Sequence, residues 1–344
     1  MLLLMMQQER KERKMKLSKW IMVVFLTVFF SSPLFAAQYK MRISHQMPES
    51  HFVASDVKEF KRLVEEKTGG KVSVEIYPAA QAFPPKDTMN AVAMGSIEAA
   101  MCTNFEWAGL IPTMEIFLLP FFVTEIPAID KTLSGEVGAR LFKRLETKGV
   151  VPIMWVLQCR TNIYTSKDKP LIMPSDFKGK KIRGTSKIMN LGSEALGAAA
   201  VPVAGPEAQT ALQTGTVDIG LTGVDAAFAR HYYEFHKYGT VSNSFTVVYT
   251  MFVNPKFWNS LPADIQSAIR ESGQAVQKKS LEDSEKFKDM SIGELKKKMN
   301  IHMQTQQEEQ AWKTAMEKPV LDYFLKTTGK EGAELVDLVS KIGR

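Results

Sequence analysis

The stretch "QYKMRISHQMPESHFVASDVKEFKRLVEEKTGGKVSVEIY", residues 38–77, predicts the fold class of the chain. Apolar residues alternate with polar ones in residues 39–43 and again in 72–76, which is the period of a β-strand. Between them, residues 53–64 place Val, Phe and Leu on one helical face, and Gly69–Gly70 end that helix. A strand, a helix and a second strand in this order predict a βαβ unit with parallel strands.

The same alternation of strands and helices continues to about residue 254. Apolar runs of strand character are "SIEAAMCT" (96–103), "GVVPIMWVL" (149–157), "KKIRG" (180–184), "AAVPV" (199–203), "TVDIGL" (216–221) and "TVVYTMFVN" (246–254). Helical patterns fit residues 86–94, 186–196 and a segment from 206 onward. Strands that alternate with helices predict mostly parallel sheets, here in two separate runs.

The C-terminal part of the chain is almost wholly helical in character. One long helix is predicted from about residue 262 to 299, followed by two more near 307–326 and 331–342. No internal repeat, low-complexity tract or flexible linker separates the two α/β runs, which favours strands that cross between lobes. We therefore predict an α/β fold of two lobes with mixed sheets, joined by crossing strands and a long C-terminal helix.

The first 36 residues have the pattern of a secretory signal peptide. Trp20–Phe30 is an apolar run of about a dozen residues, too short to span a bilayer and typical of a signal-peptide core. Small residues follow it, and we predict cleavage after Ala36; an uncleaved membrane anchor is the alternative. The mature chain is then expected to be soluble and periplasmic, whether translation begins at Met1 or at Met15.

The basic charge of the chain belongs largely to this signal segment. The whole sequence has a formal net charge of +7, but residues 1–36 contain six Lys or Arg and only two Asp or Glu. The remaining 38 basic and 35 acidic residues leave a net charge of +3. No basic stripe with interleaved aromatic residues is present, so we predict no nucleic-acid partner.

The residues of catalytic or metal chemistry are sparse. Cys102 and Cys159 are too few for a disulfide framework, and both a single bridge and two buried thiols stay open. Without an HExxH motif, no metal site or cofactor is predicted. The sequence has no GxSxG elbow, P-loop or GxGxxG after a strand, so we predict that the protein is not an enzyme. His231 and His236 are interpreted as surface or ion-pair residues.

Polar residues stand at the carboxyl ends of several predicted strands. His45, the pair Thr103–Asn104, Arg160 and Arg183 all occupy such positions. In open α/β sheets, ligands bind beyond the carboxyl ends of the strands, so we expect these segments to face one crevice. A strand-end arginine is more often a solvated charge or an ordinary ion pair. Two arginines in one crevice would nevertheless suit a carboxylate, because the planar guanidinium forms bidentate bonds to it.

Several motifs resemble, in the same order, those of one known family. They are "HFVASDVKEFKRLVEEKTGGKVSVEIYPAAQ" (51–81), "MNAVAMGSIEAAM" (89–101), "FLLPFFV" (117–123), "DFKGKKIRG" (176–184), "ALQTGTVDIGLTG" (211–223) and "FVNPKFWNSLPADIQSAI" (252–269). They are similar to segments of the substrate-binding proteins of TRAP transporters, the DctP-type extracytoplasmic solute receptors. The resemblance covers almost the whole predicted mature chain.

The resemblance implies a periplasmic receptor whose two lobes close around an organic acid. In that family the arginine of the "KIR" strand, here Arg183, pairs with the ligand carboxylate. A second arginine on the preceding strand corresponds to Arg160, with Asn162 in the same segment. We therefore expect Arg183 to be the primary anchor and Arg160 its helper.

The chain departs from the family pattern at two positions. Thr222 stands where many members carry an asparagine that contacts the ligand, and Gly205 stands where some carry an aromatic residue. The missing ring would leave room for a bulkier ligand or for another aromatic residue, with Phe245 as a candidate beside Trp107, Trp155 and Tyr249. Thr103, Asn104 and His45 are kept as weaker polar contacts.

The resemblance also implies a domain division and partners. Lobe I is predicted to comprise residues 37–158 and about 248–285, and lobe II residues 159–247 and about 286–344. A monomeric receptor would bind a small carboxylate and deliver it to the integral membrane subunits of a TRAP transporter. The alternatives are a sensing module for a signalling partner and, less favoured, a periplasmic hydrolase. Sugar acids, dicarboxylates, 2-oxo acids and aromatic acids all stay open as ligands.

Overall fold

A computed structural model describes residues 1, 5–6, 8–13, 15 and 37–342. Residues 1–38 and residues 39–344 form two separate compact units, and the second contains both sheets. The predicted signal-peptide core and its cleavage position after Ala36 lie outside the described residues. In the part of the chain that the structure describes, no helix is both long enough and apolar enough to cross a membrane.

The first sheet has five strands. They are β1 (Tyr39–Ser44), β2 (Val72–Tyr77), β3 (Ala99–Thr103), β4 (Val151–Cys159) and β10 (Val247–Val253). Their order is β2-β1-β3-β10-β4, with β1 parallel to both β2 and β3. Strand β10 runs antiparallel to β3 and β4, because it re-enters this sheet from the second half of the chain.

The second sheet has six strands. They are β5 (Asn162–Ser166), β6 (Lys181–Gly184), β7 (Ala199–Pro202), β8 (Ile219–Gly223), β9 (Tyr238–Ser242) and β11 (Asn300–Met303). Their order is β11-β9-β5-β8-β6-β7, in which β5 is antiparallel to β8 and β9 and the other pairs are parallel. The predicted mixed sheets are confirmed, and each sheet owes its antiparallel pairs to a strand that enters from the other sheet.

Helices cover the faces of both sheets. They are α1 (Phe52–Lys67), α2 (Pro85–Ala93), α3 (Asn104–Trp107), α4 (Ile126–Ser134), α5 (Glu136–Glu146), α6 (Lys187–Ala195), α7 (Ala208–Gln213), α8 (Val224–Ala229), α9 (Pro255–Ser260), α10 (Ala263–Lys296) and α11 (Gln306–Ile342). The two helices predicted near the C-terminus are present as the two parts of α11, separated at Gly329, whose φ of 60° lies outside the helical region.

Helix α1 forms where the sequence predicts it. The His51 ring caps its first turn by accepting the Val53 N–H, and its apolar face packs into the core of the first sheet. The helix ends at Lys67, and the chain turns at Gly69 and Gly70, whose φ angles of 59° and 78° favour glycine because other residues are strained there.

The chain passes between the two sheets at residues 160–161 and 243–246. Helix α10 links the two parts again, because Ile265 and Val276 are buried in the core of the first sheet while Leu295 is buried in the core of the second. The predicted crossing strands and long C-terminal helix are therefore present. The crossing segments and this helix bring the carboxyl end of β3, where Glu106 follows, within electrostatic reach of Arg183 in β6.

Candidate functional site

Arg183 lies in β6 at the carboxyl end of the strand, and only 4% of its surface is exposed. Its Nε donates to the carbonyl of Val203 at 3.1 Å, and its Nη1 donates to the carbonyl of Leu221 at 2.7 Å. Among the described residues, Nη2 has no hydrogen-bond acceptor. Burial lowers the pKa of Arg183, but an arginine stays protonated in proteins. A buried, fixed cation with one unused edge suits a bound anion.

Glu106 approaches the same region from the first sheet. Its Oε2 accepts the backbone N–H of Thr103 at 2.7 Å and the Thr103 hydroxyl at 2.9 Å, and its Oε1 accepts the Gln46 amide at 2.9 Å. Burial raises the pKa of Glu106 to about 7, although the Thr103 hydrogen bonds and the charges of Arg183 and Arg230 act in the opposite direction. The carboxyl group is therefore held at one place within the electrostatic reach of both arginines.

Gln46, which follows β1, and Arg230, which follows α8, both lie close to Gly205. A Cβ atom added at Gly205 would lie 2.7 Å from Gln46 Oε1 and 3.0 Å from Arg230 Nη2. Arg230 Nη2 also lies 3.2 Å from the Met47 sulfur, as a hydrogen bond to the segment that follows β1. Two polar side chains therefore lie beside Gly205, where the missing aromatic ring was expected to leave room.

A second contact between the two parts joins His51 to Asp225. Both side chains are buried, and the distance from His51 Nε2 to Asp225 Oδ2 is 2.6 Å. This pair is a close polar contact between the two parts of the chain. His45 lies nearby, and neither of its ring nitrogens has a partner among the described residues. Burial, followed by the charge of His51, lowers the pKa of His45 to about 4.

Arg160 does not share an acceptor with Arg183. Its Nε and Nη2 form a bidentate pair with Glu285 of α10, both at 2.8 Å, and its Nη1 donates to the Thr124 carbonyl at 3.2 Å. Arg160 also lines a cavity of about 190 Å³ that Arg183 does not line. The helper role that the resemblance implies for Arg160 stays a prediction, and its guanidinium already has protein acceptors on all three nitrogens.

The two asparagines and Phe245 are placed in the interior. Asn162 Oδ1 accepts the Phe245 N–H at 2.8 Å and the Ser244 hydroxyl at 3.1 Å, which ties one crossing segment to the other. Asn104 Oδ1 accepts the Val248 N–H at 3.3 Å. The Phe245 ring lies against Gly192 of α6. Contacts of these three residues with a ligand stay predictions.

Thr103 and Thr222 are both buried beside the candidate site. Thr103 ends β3 and is engaged with Glu106, while Thr222 follows Leu221, whose carbonyl accepts from Arg183. The sequence identified Thr103 but missed Glu106. The segment "TNFE" is a capping box in which Thr and Glu bond each other across three residues, and it would have indicated a fixed carboxyl group at this strand end.

The two cysteines, His231 and His236 are the other candidates for reactive chemistry that the sequence analysis considered. Cys102 and Cys159 are both free and buried. His231 is half exposed and lies 3.2 Å from Glu234, as predicted, but the surface position predicted for His236 is wrong. His236 is buried, and its Nδ1 lies 2.8 Å from the hydroxyl of Thr165 in β5. In the described part of the chain, no three His, Cys, Asp or Glu side chains are placed to hold a metal.

Residues 43–327 match the model of "Bacterial extracellular solute-binding protein, family 7", the DctP family. The chain belongs to this family. It is 30% identical over 317 residues to the C4-dicarboxylate-binding periplasmic protein DctP of Rhodobacter capsulatus, covering 89% of this chain and 92% of the relative. It is 26% identical to the 2,3-diketo-L-gulonate-binding periplasmic protein YiaO of Escherichia coli, covering 94% and 97%.

Solved structures of this family have the same fold. A TRAP periplasmic solute-binding protein of Sulfurospirillum deleyianum with bound succinate superposes with a TM-score of 0.81 at 26% identity, covering 89% of this chain and 100% of that one. A TRAP periplasmic solute-binding protein of Desulfovibrio salexigens with bound orotic acid gives 0.83 at 25% identity, covering 88% and 98%. The two-lobed α/β architecture predicted from the sequence is confirmed.

Proposed function

We propose that this protein is an extracytoplasmic receptor that binds a small organic acid between its two sheets, with Arg183 as the anchor for the ligand carboxylate. The observation that carries the proposal is the buried guanidinium of Arg183, fixed by two backbone carbonyls with Nη2 unused. Relatives named for dicarboxylates and sugar acids, and structures holding succinate and orotic acid, support the carboxylate as the shared ligand group.

The binding chemistry follows from the properties of a buried arginine. Burial of the guanidinium costs hydration free energy. A bound carboxylate offsets that loss through charge-assisted hydrogen bonds. Because Nε and Nη1 are held by Val203 and Leu221, the fork cannot rotate away, so the ligand meets a preorganised donor. A lysine would keep the charge but would lose this geometry.

Closure of two lobes over the ligand is the second element of the proposal. We assign residues 37–158 and about 248–285 to lobe I, and 159–247 and about 286–344 to lobe II. The contacts of Gln46, Met47 and His51 with residues of the second part support a closed arrangement. Arg160 is held by Glu285 where the chain first crosses between the sheets, and we retain it as the secondary contact of the ligand carboxylate.

The remaining parts of the proposal concern location and partners. The N-terminal segment up to Ala36 serves as a cleaved signal peptide, and the receptor works in the periplasm as a monomer without catalysis or a nucleic-acid partner. It delivers the acid to the membrane subunits of a TRAP transporter. Membership of a family of extracellular solute-binding proteins supports this assignment.

A thermal-shift screen of the purified protein against a library of organic acids tests the proposal. A specific ligand stabilises the folded state by RT ln(1 + [L]/Kd), about 3 kcal/mol at a hundredfold excess over Kd. We expect one or a few carboxylates to raise the melting temperature by several degrees, and Arg183→Lys to reduce that shift. Absence of any shift across the library would contradict the proposed function.

A further inference from the structure

The charges around the candidate site do not balance those of a dicarboxylate. Arg183 and Arg230 bring two positive charges, and Glu106 brings one carboxyl group to the same region. Arg230 and Glu106 are the charged side chains that act most on Arg183, whereas Asp225 contacts His51 and acts on Tyr249. When Glu106 is ionised, Arg183, Arg230 and Glu106 have a net charge of +1. A ligand with one negative charge neutralises them, whereas a ligand with two negative charges leaves an excess and places one carboxylate in the field of Glu106.

Glu106 cannot turn out of the site without losing three hydrogen bonds. Thr103 holds Oε2 through its backbone N–H and its hydroxyl, and Gln46 holds Oε1 through its amide. The amide is thereby oriented as well, and its own Oε1 lies beside Gly205. The wall contributed by the first sheet therefore presents hydrogen-bond acceptors, while the wall contributed by the second sheet presents donors.

We propose that the ligand is a monocarboxylate whose carboxylate binds Arg183 and whose second polar group is a hydrogen-bond donor, a hydroxyl, amide N–H or ammonium, directed at Glu106 and Gln46. The inference rests on the proposed function, since it assumes that the site binds an organic acid. It makes Glu106 the residue that selects against a second carboxylate. The relative named for C4-dicarboxylates and the succinate-bound structure would then differ from this chain in the ligand charge that they accept.

Matched ligand pairs test this inference. Each straight-chain diacid from three to six carbons is titrated calorimetrically at pH 8 beside its half-amide, for example succinate beside succinamate, together with hydroxy monoacids. We expect the tightest binders to be monoanions and each half-amide that binds to do so at least tenfold more tightly than its diacid. Glu106→Gln, which keeps an acceptor for Thr103 but removes the charge, should reduce that preference to less than threefold or reverse it.

Glu98→Gln is the matched control, because Glu98 precedes the same strand β3 at its other end and binds Arg42 there. Its half-amide preference should equal that of the unchanged protein, and melting curves of both variants verify that they are folded. A diacid that binds as tightly as its half-amide, or a preference that survives in Glu106→Gln, would overturn the inference and leave the proposed function intact. If no carboxylate in the whole panel binds, the proposed function fails and the inference fails with it.

Discussion

Arg160 and Glu285 form a bidentate ion pair in which Nε–Oε1 and Nη2–Oε2 are both 2.8 Å apart. Arg160 lies where the chain leaves the first sheet, and Glu285 lies in the middle of α10, the helix buried in both cores. Burial opposes ionisation of Glu285, but its hydrogen bonds to Arg160 and Lys288 outweigh burial and lower its pKa to about 2. The ion pair therefore connects the first crossing segment with α10, the helix that packs in the cores of both sheets.

A double-mutant cycle with Arg160→Ala and Glu285→Ala should reveal this connection. The side chains are 15% and 30% exposed, so solvent screens them only in part, and we expect a coupling of about 1 kcal/mol in unfolding free energy. Arg144 and Glu331 form a similar but more exposed fork on the surface and provide the control cycle, with a smaller coupling. Equal couplings in the two cycles would argue against a structural role for the first pair.

The same pair predicts an acid-sensitive contribution to stability. Because the pKa of Glu285 is lowered from 4.5 to about 2, its stabilising effect is present above pH 4.5 and is lost as the pH falls toward 2. Glu285→Gln should therefore be less stable than the unchanged protein at pH 6, and the difference should shrink at pH 3. Chemical unfolding at both pH values measures it; a difference that does not depend on pH would refute the assignment.

Asp56 should have the opposite pH dependence. It is fully buried in α1, 3.2 Å from Lys279 of α10, and burial raises its pKa from 3.8 to about 7 in spite of that lysine. The folded state thus binds this proton more tightly than the unfolded state, and stability is lost as the pH rises from 3.8 to 7. Asp56→Asn should remove this loss and stabilise the protein at pH 8 by on the order of 1 to 3 kcal/mol, with little effect at pH 4.

Asp322→Asn is the control for this experiment, because Asp322 is exposed and pairs with Lys318 on the surface. Its melting temperature should follow that of the unchanged protein at every pH. If Asp56→Asn destabilises the protein at pH 8 as much as at pH 4, Asp56 is ionised in the folded state and its ion pair with Lys279 stabilises the fold.

Hydrophobic period alone was enough to predict most of the fold. The alternation in residues 39–43 and 72–76 and the helical face of residues 53–64 are local signals, and each became the expected element. Strand β5 and strand β9 were missed because their residues are buried on both faces in the middle of a sheet, where no alternation with polar residues is needed. His236 was placed on the surface for a related reason, since burial by a distant strand leaves no local signal.

The candidate site was predicted in part. Arg183 could be identified because it stands near a strand end, a usual ligand position in α/β folds, and because its "KIR" segment resembles that of the DctP family. The pairing of Arg160 with Glu285 joins residues 125 positions apart, and nothing in the local sequence around either one indicates the other. Arg230 follows a short helix with no motif around it, so its position beside Gly205 and its hydrogen bond to the Met47 sulfur were visible only in three dimensions.

Gly205→Ala should weaken ligand binding more than it weakens the fold. The new methyl group would lie 2.7 Å from Gln46 Oε1 and 3.0 Å from Arg230 Nη2, and both of these are ends of flexible side chains that can move. We expect the free energy of unfolding to change by less than about 1 kcal/mol. We expect a clear loss of ligand affinity, because the new methyl group displaces the Gln46 and Arg230 side chains beside the site. Gly293→Ala is the control, since its added Cβ would contact nothing within 4 Å.

Calorimetry and melting curves on both glycine variants separate the two effects. An unchanged affinity in Gly205→Ala would mean that the positions of Gln46 and Arg230 beside Gly205 do not matter for ligand binding. The fold of the control should be as stable as that of the unchanged protein or slightly more so, because alanine is favoured over glycine within a helix.

The measurement that tests the central claim most directly is calorimetric titration of Arg183→Ala and Arg183→Lys with the acid found in the screen. Because Arg183 also holds the carbonyls of Val203 and Leu221, a melting curve of each variant without ligand accompanies the titration. We predict that Arg183→Ala loses about 3 to 5 kcal/mol of binding free energy and that Arg183→Lys recovers only part of it. A folded Arg183→Ala variant that binds the acid as tightly as the unchanged protein would contradict the claim that Arg183 anchors the ligand.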